Sequence, residues 1–508
     1  MNKDRDNFAN QFTIILIIAI FVNLVCYSLP DSILGYPIKK VDLLSDIRKP
    51  MQDDLLSPAL LADNDDMHSR QLSNPAANHD TLIVEQATAL SASTTEQKDG
   101  KEKTQDGAAT IQDTSKVKAP AAENADKRKS DNSVNEYLDK TQIEDFTSEH
   151  TGLIRFFQAL NNIDNLGRPV RIAFVGDSFI EGDILVADFR AKMQEQFGGR
   201  GVGFVPVTSV TDQYRPTIKQ SADGWKTYSI IKDRSKKYVL SGIQFEPTSK
   251  NASIRFQTVD LYPGLEEVSS LKFIYAGNKE TEMHLKVDDE TYPFKLPPTD
   301  IVTQFELTGQ FKKGVLQFKN ADGLKAIGIA LEDNYGVVVD NFSLRGNSGI
   351  IMSELDCTSC RNFQQIRPYD LIILQYGLNV ASDSVREYSW YRNRMVPVIE
   401  HIQNCFPGAD ILVLSVSDRS RNGKNTMPAV ISLLRAQRQI AETAEVTFWS
   451  VFAAMGGENS MIKYVNSNWA SKDYTHLSFR GGRELANALY DALITEKKLY
   501  AENENPVE

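Results

Sequence analysis

The chain has 508 residues, of which 56 are Lys or Arg and 67 are Asp or Glu, for a formal net charge of -11. That length exceeds what one hydrophobic core ordinarily organises, so two folded units are expected. An acidic balance without a basic stripe excludes nucleic acid as the main partner, because phosphates require Lys and Arg to neutralise them.

Near the start, Phe12 to Leu29 reads FTIILIIAIFVNLVCYSL, an unbroken apolar run of about one membrane crossing. No small-x-small cleavage site follows it, so residues 12–29 are expected to be a single uncleaved transmembrane anchor behind a short head, 1–11, rather than a signal peptide. Between Tyr36 and Tyr137 there is no Phe, Tyr or Trp, and the stretch is dense in Lys, Asp, Ala, Ser and Thr. Such a segment buries too little apolar area to offset its ordering entropy. Residues 30–135 are therefore expected to be a disordered tether, with at most a short helix around 52–62.

Folding is expected from about residue 136, where Leu138, Ile143, Phe146, Leu153, Phe156, Phe157 and Leu160 suit packed helical segments. RIAFV then reads as a buried strand, and ILVADFRAKMQEQF, with Leu185, Phe189, Met193 and Phe197 at helical spacing, reads as a helix ending at Gly198 and Gly199. From 211 to 338 the period changes to two. Pieces such as ASIRFQTVD, TEMHLKVDD and GVLQFKN alternate apolar and polar residues between turn residues, which predicts a two-sheet antiparallel sandwich. After 339 the α/β rhythm resumes: VVVDNFSL, YDLIILQYG, ADILVLSVS and VTFWSVFAAM are strand candidates, and LSFRGGRELANALYDALITEKK closes the domain as a helix. The fold class is thus α/β, with a parallel sheet interrupted by an inserted sandwich; the host segments are 136–210 and 339–502.

Four cysteines are too few for a disulfide framework. Cys357 and Cys360 form a CTSC with no second pair and no nearby His, so no metal site is expected. A local disulfide or two free thiols is the reading.

The chemistry concentrates at strand ends. In RIAFVGDSFIEGD, Ser178 lies where a strand gives way to a helix; Asp177 and Ser178 either cap that helix or present a nucleophile, and both can hold. A serine nucleophile needs a base, and SKDYTHLSF places His476 three residues after Asp473, a carboxylate able to fix the imidazole tautomer. Charge developing on an acyl oxygen needs donors. The backbone N–H of Ser178, an N–H of the glycine segment GNSG (Gly346 or Gly349), and the amide of Asn379 in YGLN are the candidates.

These four segments, GDS at 176–178, GNSG at 346–349, GLN at 377–379 and DYTH at 473–476, resemble the conserved blocks of the SGNH hydrolase superfamily, also called GDSL-like esterases. The resemblance implies a three-layer α/β/α domain, with Ser178 as nucleophile, His476 as base, Asp473 as its orienting partner, and an oxyanion hole from Ser178, Gly349 and Asn379, with no cofactor and no metal. GLNV departs from the usual G-x-N-D, which removes a supporting contact for the donor. GDSFIEGD with the later GGRGVGFVP is similar to the peptidoglycan O-acetylesterases of Gram-negative bacteria, whose inserted sandwich resembles a carbohydrate-binding module.

That likeness implies an acetylated glycan substrate and a single-pass inner-membrane protein with its catalytic body in the periplasm. It leaves open an O-acetyltransferase supplied by a membrane-embedded O-acyltransferase partner, and a catalytically silent glycan-binding protein. Trp225, Tyr228 and Tyr262 are the sandwich aromatics that could stack on sugar.

Overall fold

The computed structural model describes residues 140–504 apart from Asn422, together with short strand pieces at Ser32–Ile33, Tyr36–Pro37 and Ala87–Leu90. The chain divides into two units, 1–72 and 73–508. In the first, Ser32–Ile33 pairs antiparallel with Tyr36–Pro37. The expected membrane anchor, the short helix around 52–62 and most of the tether lie outside the described residues. Among the described residues no helix is long and apolar enough to cross a membrane.

Five parallel strands build the centre of the second unit: β1 (Val170–Gly176), β2 (Val337–Ser343), β3 (Leu371–Gln375), β4 (Asp410–Leu414) and β5 (Thr447–Trp449). Their spatial order is β2-β1-β3-β4-β5, and Glu144–Asp145 adds a short antiparallel strand beyond β5. Every residue of β1, β3 and β4 is buried, which is why these strands read as continuous apolar runs rather than alternations. The flanking helices are α1 (Ile154–Asn161), α2 (Val186–Phe197), α3 (Cys357–Ile366), α4 (Ser389–Cys405), α5 (Pro428–Thr443) and α6 (Phe479–Glu504). Chain order reverses direction across the sheet between β1 and β3, the switch point at which open α/β sheets hold their ligands.

The insertion is two antiparallel sheets. One runs Glu290–Leu296, Thr281–Val287, Lys313–Lys319, Asn251–Gln257, Lys219–Asp223. The other runs Thr299–Phe311, Val268–Gly277, Leu324–Glu332, Ile243–Pro247, Trp225–Ser229. Strand Asn251–Gln257 alternates exposed and buried residues, as period-two reasoning requires. Val268–Gly277 is buried on both faces over Leu271 to Tyr275 because its outer face, through Ile274, packs into the core of the parallel sheet.

Four expectations are corrected. The chain enters the sandwich before 211: Gly203–Val205 pairs with Leu324–Glu332. The tether supplies an edge strand, Ala87–Leu90, to Thr299–Phe311, since an open edge offers unpaired backbone groups. VTFWSVFAAM is a strand only to Trp449, because Ser450 accepts from the Ala453 N–H and starts a helical turn, Val451–Ala454. Finally, Cys357 bonds neither to Cys360 nor remains free. It pairs with Cys405, Cα to Cα 4.7 Å, joining the start of α3 to the end of α4, while Cys360 is the buried free thiol. His401 also lies beside this pair. With both sulfurs in a disulfide, the trio offers a metal only one imidazole, not two thiolates.

Sandwich and sheet are joined by a buried ionic cluster. Glu332, at the end of the last sandwich strand, accepts from Arg171 of β1 (2.7 Å), Lys272 of the sandwich (2.8 Å) and Arg367 ahead of β3 (2.8 Å). Arg367 also donates to Asp340 of β2, which accepts from Tyr369 and from the Phe204 N–H. Burial disfavours the ionised form of Glu332, but Arg171, Arg367 and Lys272 outweigh it and hold the carboxyl below its usual range.

Removing one member of such a cluster leaves the others uncompensated, so Glu332→Gln is expected to lose about 3–5 kcal/mol, read from urea unfolding. Thiol titration of the unfolded, unreduced chain should find Cys26 and Cys360 reactive; labelling of Cys357 or Cys405 without reductant would contradict the pairing.

Candidate active site

Ser178 sits two residues beyond β1, in a turn rather than a helix. The Asp177 carboxylate accepts from the Phe179 N–H (2.9 Å), and the Glu181 N–H donates to the Ser178 carbonyl (3.3 Å). α2 begins only at Val186, with Leu185 at its N-cap and no side-chain cap. Asp177 and Ser178 therefore cap no helix, which corrects that expectation: FIEGDIL forms a separate turn with Gly182 and Asp183 at positive φ.

The candidate base arrives from the other end of the chain. Ser178 Oγ lies 3.1 Å from His476 Nε2, and His476 Nδ1 lies 2.7 Å from Asp473 Oδ2. Asp473 Oδ1 accepts from Ser471 Oγ and from the N–H groups of Thr475 (2.9 Å) and His476 (3.0 Å). Partial burial works against its charge, but the bonds from His476, Ser471 and the two amides outweigh that and hold Asp473 well below the usual carboxylate range. A carboxylate anionic at all relevant pH values fixes the Nδ1–H tautomer and leaves Nε2 free to accept the serine proton. The tight turn requires Tyr474 at φ 55°, and the Tyr474 ring packs against Gly423. The pair Gly481 and Gly482 brings α6 close: a Cβ on Gly482 would meet the Ile184 carbonyl at 1.9 Å, and one on Gly481 the Trp469 carbonyl at 2.0 Å. Any larger residue would push the DYTH loop off the serine turn.

The candidate donors lie at the same sheet edge, and two of them, the Asn379 amide and the Gly349 N–H, already have partners. Asn379 follows β3; its Nδ2 donates to Asp177 Oδ2 (3.0 Å) and to the Asn347 carbonyl (3.1 Å). The Gly349 N–H donates to Asn347 Oδ1 (2.8 Å). Gly346 is exposed with open space around it.

Three residues organise this arrangement: Asn347 and Asp183, which the sequence reading missed, and Asp177, which it named only as a candidate helix cap. Asn347, almost fully buried, ties the glycine segment to Asn379. Asp177 orients the Asn379 amide, the support expected to be missing with the G-x-N-D aspartate. Burial pushes Asp177 up to about 6, opposed by the Phe179 N–H, His476 and Asn379. A third, Asp183, accepts from Arg190, Arg215, Thr217 and Asn341 and has no solvent exposure. Its signal was available: a second Gly-Asp, in an otherwise apolar stretch, has no reason to be acidic unless it is paired.

No family model and no curated protein matches the sequence. Among solved structures the chain is similar to one titled as a peptidoglycan O-acetylesterase in action, with a TM-score of 0.58, 20% identity, and coverage of 70% of this chain and 99% of that one. At that identity the likeness is one of fold alone. A family two carbohydrate esterase from Cellvibrio japonicus (TM-score 0.25, 10% identity, 56% of this chain and 98% of that one) overlaps too loosely to bear on the fold. So does a GDSL-like lipase from Parabacteroides merdae (TM-score 0.26, 16% identity, 31% and 72%).

An activated serine should be phosphonylated by a fluorophosphonate at Ser178, and His476→Ala should slow that labelling by about 100-fold or more, as followed by intact mass. Asp177 gives a pH signature. Its folded pKa is raised, so its contribution to stability is complete below the unfolded value near 4 and is lost as pH rises through about 6. Relative to Asp177→Asn, the wild type should lose on the order of 3 kcal/mol between pH 4 and pH 8, measured by urea unfolding at each pH.

Proposed function

We propose that the chain is a serine O-acetylesterase acting on an acetylated cell-envelope glycan, peptidoglycan being the favoured one. The observation that carries this reading is the line of hydrogen bonds from Asp473 through His476 to Ser178 at the carboxyl end of β1. His476 Nε2 takes the Ser178 proton as Oγ attacks the acetyl carbonyl. The oxyanion draws on the Ser178 and Gly349 N–H groups and the Asn379 amide, competing with Asn347 for the last two. The tetrahedral intermediate collapses, the sugar alkoxide leaves with the proton from His476, and an acetyl ester remains on Ser178. Water activated by the same imidazole then releases acetate. At 39% and 50% exposure of their side chains, His476 and Asp473 are within reach of that water. Nothing in the sequence passes through a metal or cofactor.

The same reading puts a three-layer α/β/α hydrolase domain and its inserted sandwich in the periplasm, held to the inner membrane by residues 12–29. The Cys357–Cys405 bond supports an oxidising compartment, since disulfides persist there and are rare in reducing cytoplasm.

Acetate release from O-acetylated peptidoglycan is the test. Wild type should release it, Ser178→Ala should not, and Asp473→Asn should lower kcat by about 10⁴-fold with little change in KM. Acetyl passed to an added glycan acceptor would identify a transferase supplied by a membrane-embedded acyltransferase. Turnover by neither route would leave a glycan-binding protein.

A further inference from the structure

A cleft of about 590 Å³ runs between the sandwich and the carboxyl end of β2. Its volume is in the range of small-molecule sites, roughly 300–1,000 Å³, and far exceeds what an acetyl group needs. One wall is Glu181, whose N–H is bonded to the Ser178 carbonyl; the segment Ser343–Arg345 lines the same side, and the Leu344 N–H donates to the Gly176 carbonyl at 2.9 Å. The cleft therefore begins one turn from the nucleophile. Its opposite wall is the sandwich strand carrying Thr227, Tyr228 and Ser229.

Three properties define what fits. Fixed charges in and behind the walls are matched: Arg215 pairs with Asp183, Arg345 with Glu181, and Lys232 adjoins Asp233. Hydroxyls of Thr208, Thr227 and Ser229 lie between apolar patches, with Val210 at 67% and Ile231 at 39% exposure on the walls. Such large exposed aliphatics beside hydroxyls suit a ligand with its own alternating C–H and O–H faces. Finally, Asn341 lines the cleft at 7% exposure. Its Nδ2 donates to the Ile180 carbonyl and to Asp183, while its Oδ1 is buried without a hydrogen-bond partner. A buried acceptor left unpaired is costly, so this stretch of wall carries a polar group that a small shift toward the cleft would let a ligand donor satisfy.

Of the three sandwich aromatics, Trp225 packs edge-on against Phe318 and Tyr262 is buried. Tyr228 borders the cleft, but Lys236 Nζ lies 3.9 Å and Lys226 Nζ 4.7 Å from its ring centroid. The cleft offers polar edges and aliphatic patches, not a bare aromatic platform.

We infer that this cleft is a subsite for uncharged N-acetylated sugar rings of a glycan strand, holding the residues that neighbour the acetylated sugar. As a subsite it rests on the esterase reading; as a binding site it does not. The glycan is thereby gripped jointly by sandwich and hydrolase, between the Thr227–Ser229 strand and the Ser343–Arg345 segment.

The test uses the full chain and chitotetraose as probe, with Thr227→Trp to fill the cleft and Ile231→Ser to strip its wall. Both side chains are exposed, so neither change threatens the core. Wild type and Ser178→Ala should bind the probe, and each cleft variant should weaken binding at least about tenfold, the scale of one lost well-made contact. Hydrolysis of p-nitrophenyl acetate, which needs no subsite, should stay unchanged while kcat/KM on O-acetylated glycan falls. Unchanged probe affinity in both variants, or equal loss on both esters, would overturn the subsite. Absence of acetate release from every ester by wild type would sink the esterase reading alone, because the binding comparison stands without turnover.

Discussion

Glu332 is the residue on which the architecture turns. It closes the inserted module, yet its carboxylate is held by Arg171 and Arg367 of the parallel sheet's own segments and by Lys272 of the sandwich. With Asp340 and Glu306, three cations face three carboxylates in a space nearly closed to water. Ions there cannot exchange partners with solvent, so the cluster fixes the orientation of one module on the other more strictly than apolar contact would. Asp183 does the same nearer Ser178, drawing Arg215 and Thr217 from the start of the insertion and Arg190 and Asn341 from the host.

The serine turn therefore hangs between two ionic joints. Arg171 lies in β1 itself, and Asp183 follows Ser178 by five residues. The insertion is part of what holds Ser178 in place, and it supplies one wall of the cleft beside it. A sandwich acting only as a detachable glycan-binding appendage would have no reason to bury charge against the sheet that carries Ser178.

Much of this was legible in the sequence. Continuous apolar runs such as RIAFV and LIILQ marked buried parallel strands, and alternation marked the sandwich, because both signals arise from which faces lose water. Ser178 stood out at the end of a buried strand, and Asp473 with His476 because a carboxylate stands three residues ahead of a histidine just before the closing helix. Properties set by distant partners were not legible. Cys405 lies 48 residues from Cys357, and nothing local chooses it over Cys360. Trp449 ends its strand early because Ser450 caps the next turn. Asn347 carries no local signal, and its grip on Gly349 and Asn379 emerges only when two strand ends are set side by side. The head of the chain, with its apolar run, lies outside the described residues.

His476 and Asp473 occupy one four-residue turn, 473–476, whose internal bonds are all short-range. Only one distance in the triad spans the molecule, the 3.1 Å from Ser178 to His476 across 298 residues of sequence. Assembly of the triad thus reduces to a single mechanical tolerance, set where α6 meets the Ile184 carbonyl at Gly482. A shift at that joint would part His476 from Ser178 while the parallel sheet and the sandwich stayed intact.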